Sequence, residues 1–234
     1  MKKFDKKMKR ELYTNQETIC EGYAGLLERM SNHVGIACEK IVGHARTIDQ
    51  KIGQGSVNHA WNAVNLNNKW YLCDVTWASS RFDISTMRFD RRFDKNYFLT
   101  DPSLFISNHY PTDTTWTLLY KKPSLKEFLN APIKYGEFIS NQINTYSPTN
   151  GIVKIKKGSD VTFEFTSNID LPGSGREIRI IVTSLVDRKE AIKKVGRNAD
   201  GKYSIRHSFE NRGTYDVDIL INGYKILSYK VRAV

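Results

Sequence analysis

Long apolar runs are missing from this sequence. No stretch of its 234 residues approaches the roughly eighteen apolar residues that read as a membrane-spanning helix. The opening, Met1-Lys2-Lys3-Phe4-Asp5-Lys6-Lys7-Met8-Lys9-Arg10, is basic but has no apolar segment behind it, which excludes a secretory signal in the chain as it stands. Compartment and oligomeric state are not legible. Cysteine is scarce too. Cys20, Cys38 and Cys73 are the three present, an odd number in a long chain, which argues against a disulfide framework and leaves at least one thiol free. Close ligand pairs such as C-x-x-C are absent, so no metal site is expected and no cofactor is called for.

Charge is unbalanced, at +11, and acidic partners such as nucleic acid have to be weighed. The lysines and arginines are scattered, however. The densest arginine region, Arg81 to Asp94, interleaves Asp83, Asp90 and Asp94 as three Arg-Phe-Asp triplets. Nucleic acid is therefore not expected as a partner, and the triplets read as an ion-paired loop. What is plentiful is apolar residue, 40% of the chain, enough to fill one large core or two ordinary ones.

Two regions of different grain meet near Tyr120-Lys121-Lys122-Pro123. Before that point one helical pattern mixes with strand patterns and holds all four tryptophans. After it nearly every segment alternates with period two. Val161–Phe165, Ile178–Val182 and Tyr215–Ile219 read as strands. Asp200-Gly201 and Asn222-Gly223 suit type I′ turns and predict two tight hairpins. Asn211-Arg212-Gly213-Thr214-Tyr215-Asp216-Val217 looks like the corner of immunoglobulin-type sandwiches, where a tyrosine hydroxyl bonds back to the backbone. Residues 124–234 thus read as a disulfide-free β-sandwich with a structural or partner-binding role. His207, its only histidine, reads as ordinary surface or packing.

The chemistry gathers in the first region. Thr18-Ile19-Cys20-Glu21 has the form of a capping box, and Tyr23, Leu26 or Leu27, and Met30 continue at helical spacing toward Asn32. A helix over about residues 18 to 31 follows, with Cys20 in its first turn. A helix N-terminus favours negative charge and lowers a thiol's pKa, more so beside a protonated histidine. The plainer reading makes Cys20 a small buried hydrophobe.

His59 to Leu66 and Lys69 to Trp77 read as a hairpin turning at Asn67-Asn68. With Leu66 opposite Lys69, His59 faces Thr76 and Trp61 faces Asp74, which places His59 and Asp74 on one face as diagonal neighbours, and a register shift of two would set them directly opposite. A carboxylate bonded to one ring nitrogen fixes the histidine tautomer and leaves the other nitrogen for the thiol proton. The alternative is a surface histidine and a strand-end aspartate in a simple ion pair. Cys73, adjoining Asp74, points to the opposite face, toward the core. Cys38 lies in an apolar run, and both read as structural.

Cys20-Glu21-Gly22-Tyr23-Ala24, His59-Ala60-Trp61-Asn62 and Asp74-Val75-Thr76-Trp77, followed by Tyr97-Phe98-Leu99-Thr100-Asp101-Pro102, resemble the transglutaminase-like superfamily, and most nearly its kyphoscoliosis-peptidase-type branch. The resemblance spans about residues 15 to 119. It implies an α+β fold, with a papain-like transglutaminase core over residues 1–120 and an immunoglobulin-like sandwich over 124–234. It also implies a cysteine-dependent acyl-transfer enzyme in which Cys20 is the nucleophile, His59 the general base and acid, and Asp74 its orienter. A protein or peptide is the implied substrate, and a protease or amidase is expected in preference to a cross-linking transglutaminase. The rival expectation is an inactive transglutaminase-like scaffold or protein-binding module.

Trp61 and Trp77 are the expected substrate-binding walls of the site, or else core aromatics. His109, in Asn108-His109-Tyr110-Pro111, fits the family's closing segment and is taken as structural. Family cores usually open with several helices before the nucleophile, whereas nineteen residues precede Cys20 here, so the core reads as N-terminally truncated. Calcium sites of animal transglutaminases have no matching motif.

Overall fold

The computed structural model describes residues 14, 18–46, 51–79, 81–83, 88–90, 93–171, 177–186 and 189–234, with backbone alone at 81–83 and 88–90. They form two compact units. One comprises the described residues up to Ala45 and from Ser56 to Lys122, and the other Arg46–Gly55 with Pro123–Val234.

The first unit is a helix on an antiparallel sheet, β3-β2-β1-β6. Its strands are β1 (Cys38–Ala45), β2 (His59–Leu66), β3 (Lys69–Cys73) and β6 (His109–Pro111). The helix, Cys20–His33, buries Gly22, Ala24 and Ser31. It is tied to β2 by Asn62, whose Nδ2 donates to the Ala24 carbonyl at 2.9 Å. Short strands β4 (Arg81–Asp83) and β5 (Arg88–Asp90) pair with each other. These are two of the Arg-Phe-Asp triplets, and the ion pairing expected of their side chains lies outside the described residues.

The β2–β3 hairpin turns on Asn67 and Asn68, both at positive φ (52° and 61°), with Leu66 opposite Lys69 and Asn62 opposite Cys73. Asparagine tolerates this left-handed backbone well. The strand stops at Cys73, earlier than the sequence pattern suggests. Asp74 instead opens a short helix, Val75–Ser79, and its Oδ1 accepts the Trp77 amide at 3.1 Å, the N-cap role for which a short acidic side chain is suited. His59 and Thr76 are therefore not cross-strand partners.

The Thr18 capping box does not form. The helix begins at Cys20 with Ile19 as its cap and no side-chain cap bond, while Glu21 reaches Lys40 of β1 at 3.3 Å. At the other end Asn32 bonds both the amide and the carbonyl of Cys38 at 3.1 Å, which fixes the turn from helix into β1.

The second unit is built from two sheets around a shared core. One runs β13 (Gly196–Arg197), β14, β10, β8 (Ile143–Ser147); the other runs β12 (Glu190–Lys194), β11, β15, β16, β7 (Ile133–Lys134), with β9 (Ile152–Ile155) beside β16. The strands that matter most here are β10 (Ser159–Ser167), β11 (Ile178–Ser184), β14 (Tyr203–Phe209), β15 (Gly213–Ile221) and β16 (Tyr224–Ala233). Phe163, Phe165, Ile180, Val182, Val217 and Val231 interleave at its centre. The Tyr215 hydroxyl donates to the Asn211 carbonyl at 2.9 Å.

Asn222-Gly223 is a two-residue turn with both residues at positive φ, closing Ile221 against Tyr224. Asp200-Gly201 is not: only Gly201 takes positive φ, and Asn198 and Lys202 close a longer loop, the Asn198 amide donating to the Lys202 carbonyl. A type I turn followed by a left-handed glycine needs one permissive residue where type I′ needs two. Arg46 belongs to this unit, its Nη1 donating to the carbonyls of Phe128, Ala131 and Pro132.

Candidate functional site

Cys20 is the first residue of its helix, His59 the first of β2, and Asp74 follows the last of β3. The structure brings the three together. Asp74 Oδ2 lies 2.7 Å from His59 Nε2, which leaves Nδ1 for the Cys20 thiol.

The thiol's hydrogen bond to His59 lowers its pKa. Burial opposes that shift, and backbone hydrogen bonds from Ala60 and Glu21 assist it. Burial alone would depress His59, but its bonds to Asp74 and Cys20 raise it to about 9. Asp74, with its side chain wholly buried, would likewise be pushed up by burial. Hydrogen bonds from His109 and His59 hold it well below the usual carboxylate range instead. Both shifts run toward a thiolate beside an imidazolium, the pairing a sulfur nucleophile requires. The other thiols behave oppositely: burial raises Cys38 and pushes Cys73 up to about 11. Cys38, Val64 and Cys73 pack together in a small cluster.

The tryptophans part company. Trp61 is 1% exposed and packs its ring against Phe105, His59 and His109. It offers a substrate no surface and stands behind the histidine as a wall. Room for it comes from Gly43, where an added Cβ would lie 2.5 Å from the indole and 2.3 Å from the Tyr110 carbonyl oxygen. Trp77 is half-buried, with its ring centroid 5.2 Å from that of His59.

His109 is the residue that sequence reasoning underrated. Its Nε2 lies 2.9 Å from Asp74 Oδ2, the oxygen His59 also holds, and its side chain is fully buried. It arrives there because β6 pairs with β1, Ala45 opposite His109, a long-range ladder with no local signature. The three donor atoms of His59, Asp74 and His109 lie within 4.8 Å of one another. Separations of 2.7 and 2.9 Å from a buried carboxylate are those of charge-assisted hydrogen bonds, so these groups are engaged with one another rather than arrayed for a cation.

Residues 2–75 match the model of the transglutaminase-like superfamily. The chain is 35% identical over 158 residues to kyphoscoliosis peptidase of Mus musculus and 36% identical over 158 residues to that of Homo sapiens. Each alignment covers 66% of the chain and 24% of the relative. Hillarin of Drosophila melanogaster is 28% identical over 128 residues, 48% of the chain and 15% of that protein. The chain thus spans about a quarter of the length of the kyphoscoliosis peptidases it matches.

Proposed function

Because this chain belongs to the transglutaminase-like superfamily, in its kyphoscoliosis-peptidase branch, we propose that it is a cysteine-dependent acyl-transfer enzyme acting on peptide or glutamine-type amide bonds. Cys20 is the nucleophile, His59 the general base and acid, and Asp74 the residue that orients His59. The observation that carries this reading is the short Asp74–His59 contact of 2.7 Å, with His59 acting to lower the pKa of the Cys20 thiol.

The Cys20 thiolate attacks the amide carbon and a C–S bond forms. The C–N bond breaks, and the leaving amine takes its proton from the His59 imidazolium. Water then attacks the acyl-thioester, His59 takes a proton from it, and the thiolate leaves. Water as acceptor makes the chain a peptidase or amidase, the reading we prefer because two relatives carry the name peptidase; a lysine-type amine would make a cross-link instead. Trp77 is read as the aromatic wall on the substrate side and Trp61 as the wall behind His59.

Residues 124–234 are read as an immunoglobulin-like sandwich that positions a protein substrate, after a core over residues 1–120. The two sheets with a common core and the Tyr215–Asn211 bond support it. A second reading is a transglutaminase-like lobe that binds partners without chemistry, since a fold can outlive its chemistry.

The deciding experiment is iodoacetamide alkylation across pH, with mass spectrometry at each cysteine and His59→Ala as comparison. The enzyme reading expects Cys20 to react well below pH 8 and to lose that advantage without His59. A Cys20 as inert as Cys73 would favour the scaffold.

A further inference from the structure

We propose that His109 is a positioning residue for Asp74. In its neutral Nε2–H tautomer it donates to Asp74 Oδ2 and accepts from Asn108, so that a hydrogen-bond chain running Tyr97, Asn108, His109 ends on the carboxylate that orients His59. The proposal rests on the thiol acyl-transfer reading of the site and deepens it.

The geometry leaves little freedom. An ionised carboxylate only accepts hydrogen bonds, so the nitrogen 2.9 Å from Asp74 Oδ2 has to carry a proton. A neutral imidazole has one proton. Nδ1 must then be an acceptor, yet it lies 2.7 Å from the atom placed as Asn108 Oδ1, and two acceptors repel at that distance. The oxygen and nitrogen of an amide have nearly the same shape and are assigned from their network. Turning the Asn108 amide end for end resolves the conflict. Its Nδ2–H then donates to His109 Nδ1, and its Oδ1 accepts the Tyr97 hydroxyl, which is 3.0 Å away.

The competing assignment makes His109 an imidazolium. That would put a second cation beside His59, ring centroids 5.5 Å apart. The His109 side chain is fully buried, enclosed by Phe105 at 4.2 Å and Trp77 at 4.5 Å. Burial drives His109 toward the neutral form, down to about 4, against the pull of Asp74. The titratable groups facing this network are His59 from β2, Cys20 from the helix, Tyr97 from the turn Lys95–Tyr97, and Cys73 beside Asp74.

A neutral donor has a specific use here. It stabilises the negative charge of a dry carboxylate without setting a rival cation against His59. It also fixes the carboxylate plane, leaving Oδ2 aimed at His59 Nε2–H. Outer hydrogen-bond partners commonly tune a reactive group in this way.

Two measurements on the full chain test it. Two-bond proton–nitrogen correlation spectra at neutral pH should show His109 as the neutral Nε2–H tautomer; an imidazolium or an Nδ1–H tautomer overturns the proposal. The second is the pH profile of Cys20 alkylation in His109→Gln, which retains an N–H donor, and His109→Phe, which retains ring volume alone. Gln should keep the native profile within about threefold, and Phe should lose roughly tenfold or more of the Cys20 rate below pH 8. A Phe variant with the native profile, or a Gln variant as impaired as Phe, overturns the proposal. Should Phe not fold, the spectra decide alone. If Cys20 of the native chain reacts no faster than Cys73, the acyl-transfer reading fails, and the tautomer of His109 is still read separately.

Discussion

Asn62 donates from Nδ2 to the backbone carbonyl of Ala24 at 2.9 Å, a buried tie between the strand that begins with His59 and the helix that begins with Cys20. Asn62 is 0% exposed, so the contact is shielded from water. Replacing it by Leu should cost on the order of 1–3 kcal/mol and loosen the spacing of helix and strand. Thermal unfolding should show the loss, and Cys20 alkylation below pH 8 should slow toward the Cys73 rate.

Asp74→Asn separates orientation from folding. Asparagine caps helices as well as aspartate, so the start of Val75–Ser79 survives. The ion pair that raises His59 does not. Amide hydrolysis, once a substrate is in hand, should fall by about 10²–10⁴. The midpoint of the upper limb in the pH profile of Cys20 alkylation should move downward.

Two buried histidines should give stability limbs of opposite sense on either side of about pH 6.5. His59 is raised in the folded chain to about 9. Its contribution is complete below its unfolded value of about 6.5 and is lost as pH rises through 9. His109 is depressed to about 4, so stability is lost as pH falls from about 6.5 toward 4, where the unfolded chain takes up a proton that the folded chain refuses. Each limb amounts to about 3 kcal/mol. Unfolding midpoints against pH should flatten above 6.5 in His59→Ala and below 6.5 in His109→Gln. Asp74 titrates below both limbs.

Gly43→Ala should destabilise the first unit by about 1–3 kcal/mol through overpacking. The new methyl would lie 2.3 Å from the Tyr110 carbonyl oxygen and 2.5 Å from the Trp61 ring, so either β6 or the wall behind His59 must shift. Denaturant unfolding measures the first effect and Cys20 alkylation the second.

Tyr215→Phe deletes the bond to the Asn211 carbonyl and nothing else. A loss of about 0.5–1.5 kcal/mol is expected in the second unit, with Cys20 reactivity unchanged.

Local chemistry decided much of this protein from sequence alone. Asn67-Asn68 and Asn222-Gly223 accept left-handed backbone, so their hairpin registers were readable. The period of two made Cys73 a buried residue, and it is found at 1% exposure. The helix expected over about residues 18 to 31 is found at Cys20–His33, although Leu26 and Met30 of the apolar pattern are exposed and Gly22, Ala24 and Ser31 are the residues it buries. The rest depended on groups far apart in the chain. Glu21 makes no cap because the helix starts one residue late, with Ile19 in the capping position, and it pairs with Lys40 of a neighbouring strand. Asp74 left the strand because its carboxylate and backbone found a helix to begin. His109 entered the site through the β1–β6 ladder. Short-range conformational preferences are written residue by residue, whereas a buried carboxylate takes whichever donors the completed sheet delivers, and only the tertiary structure chooses them.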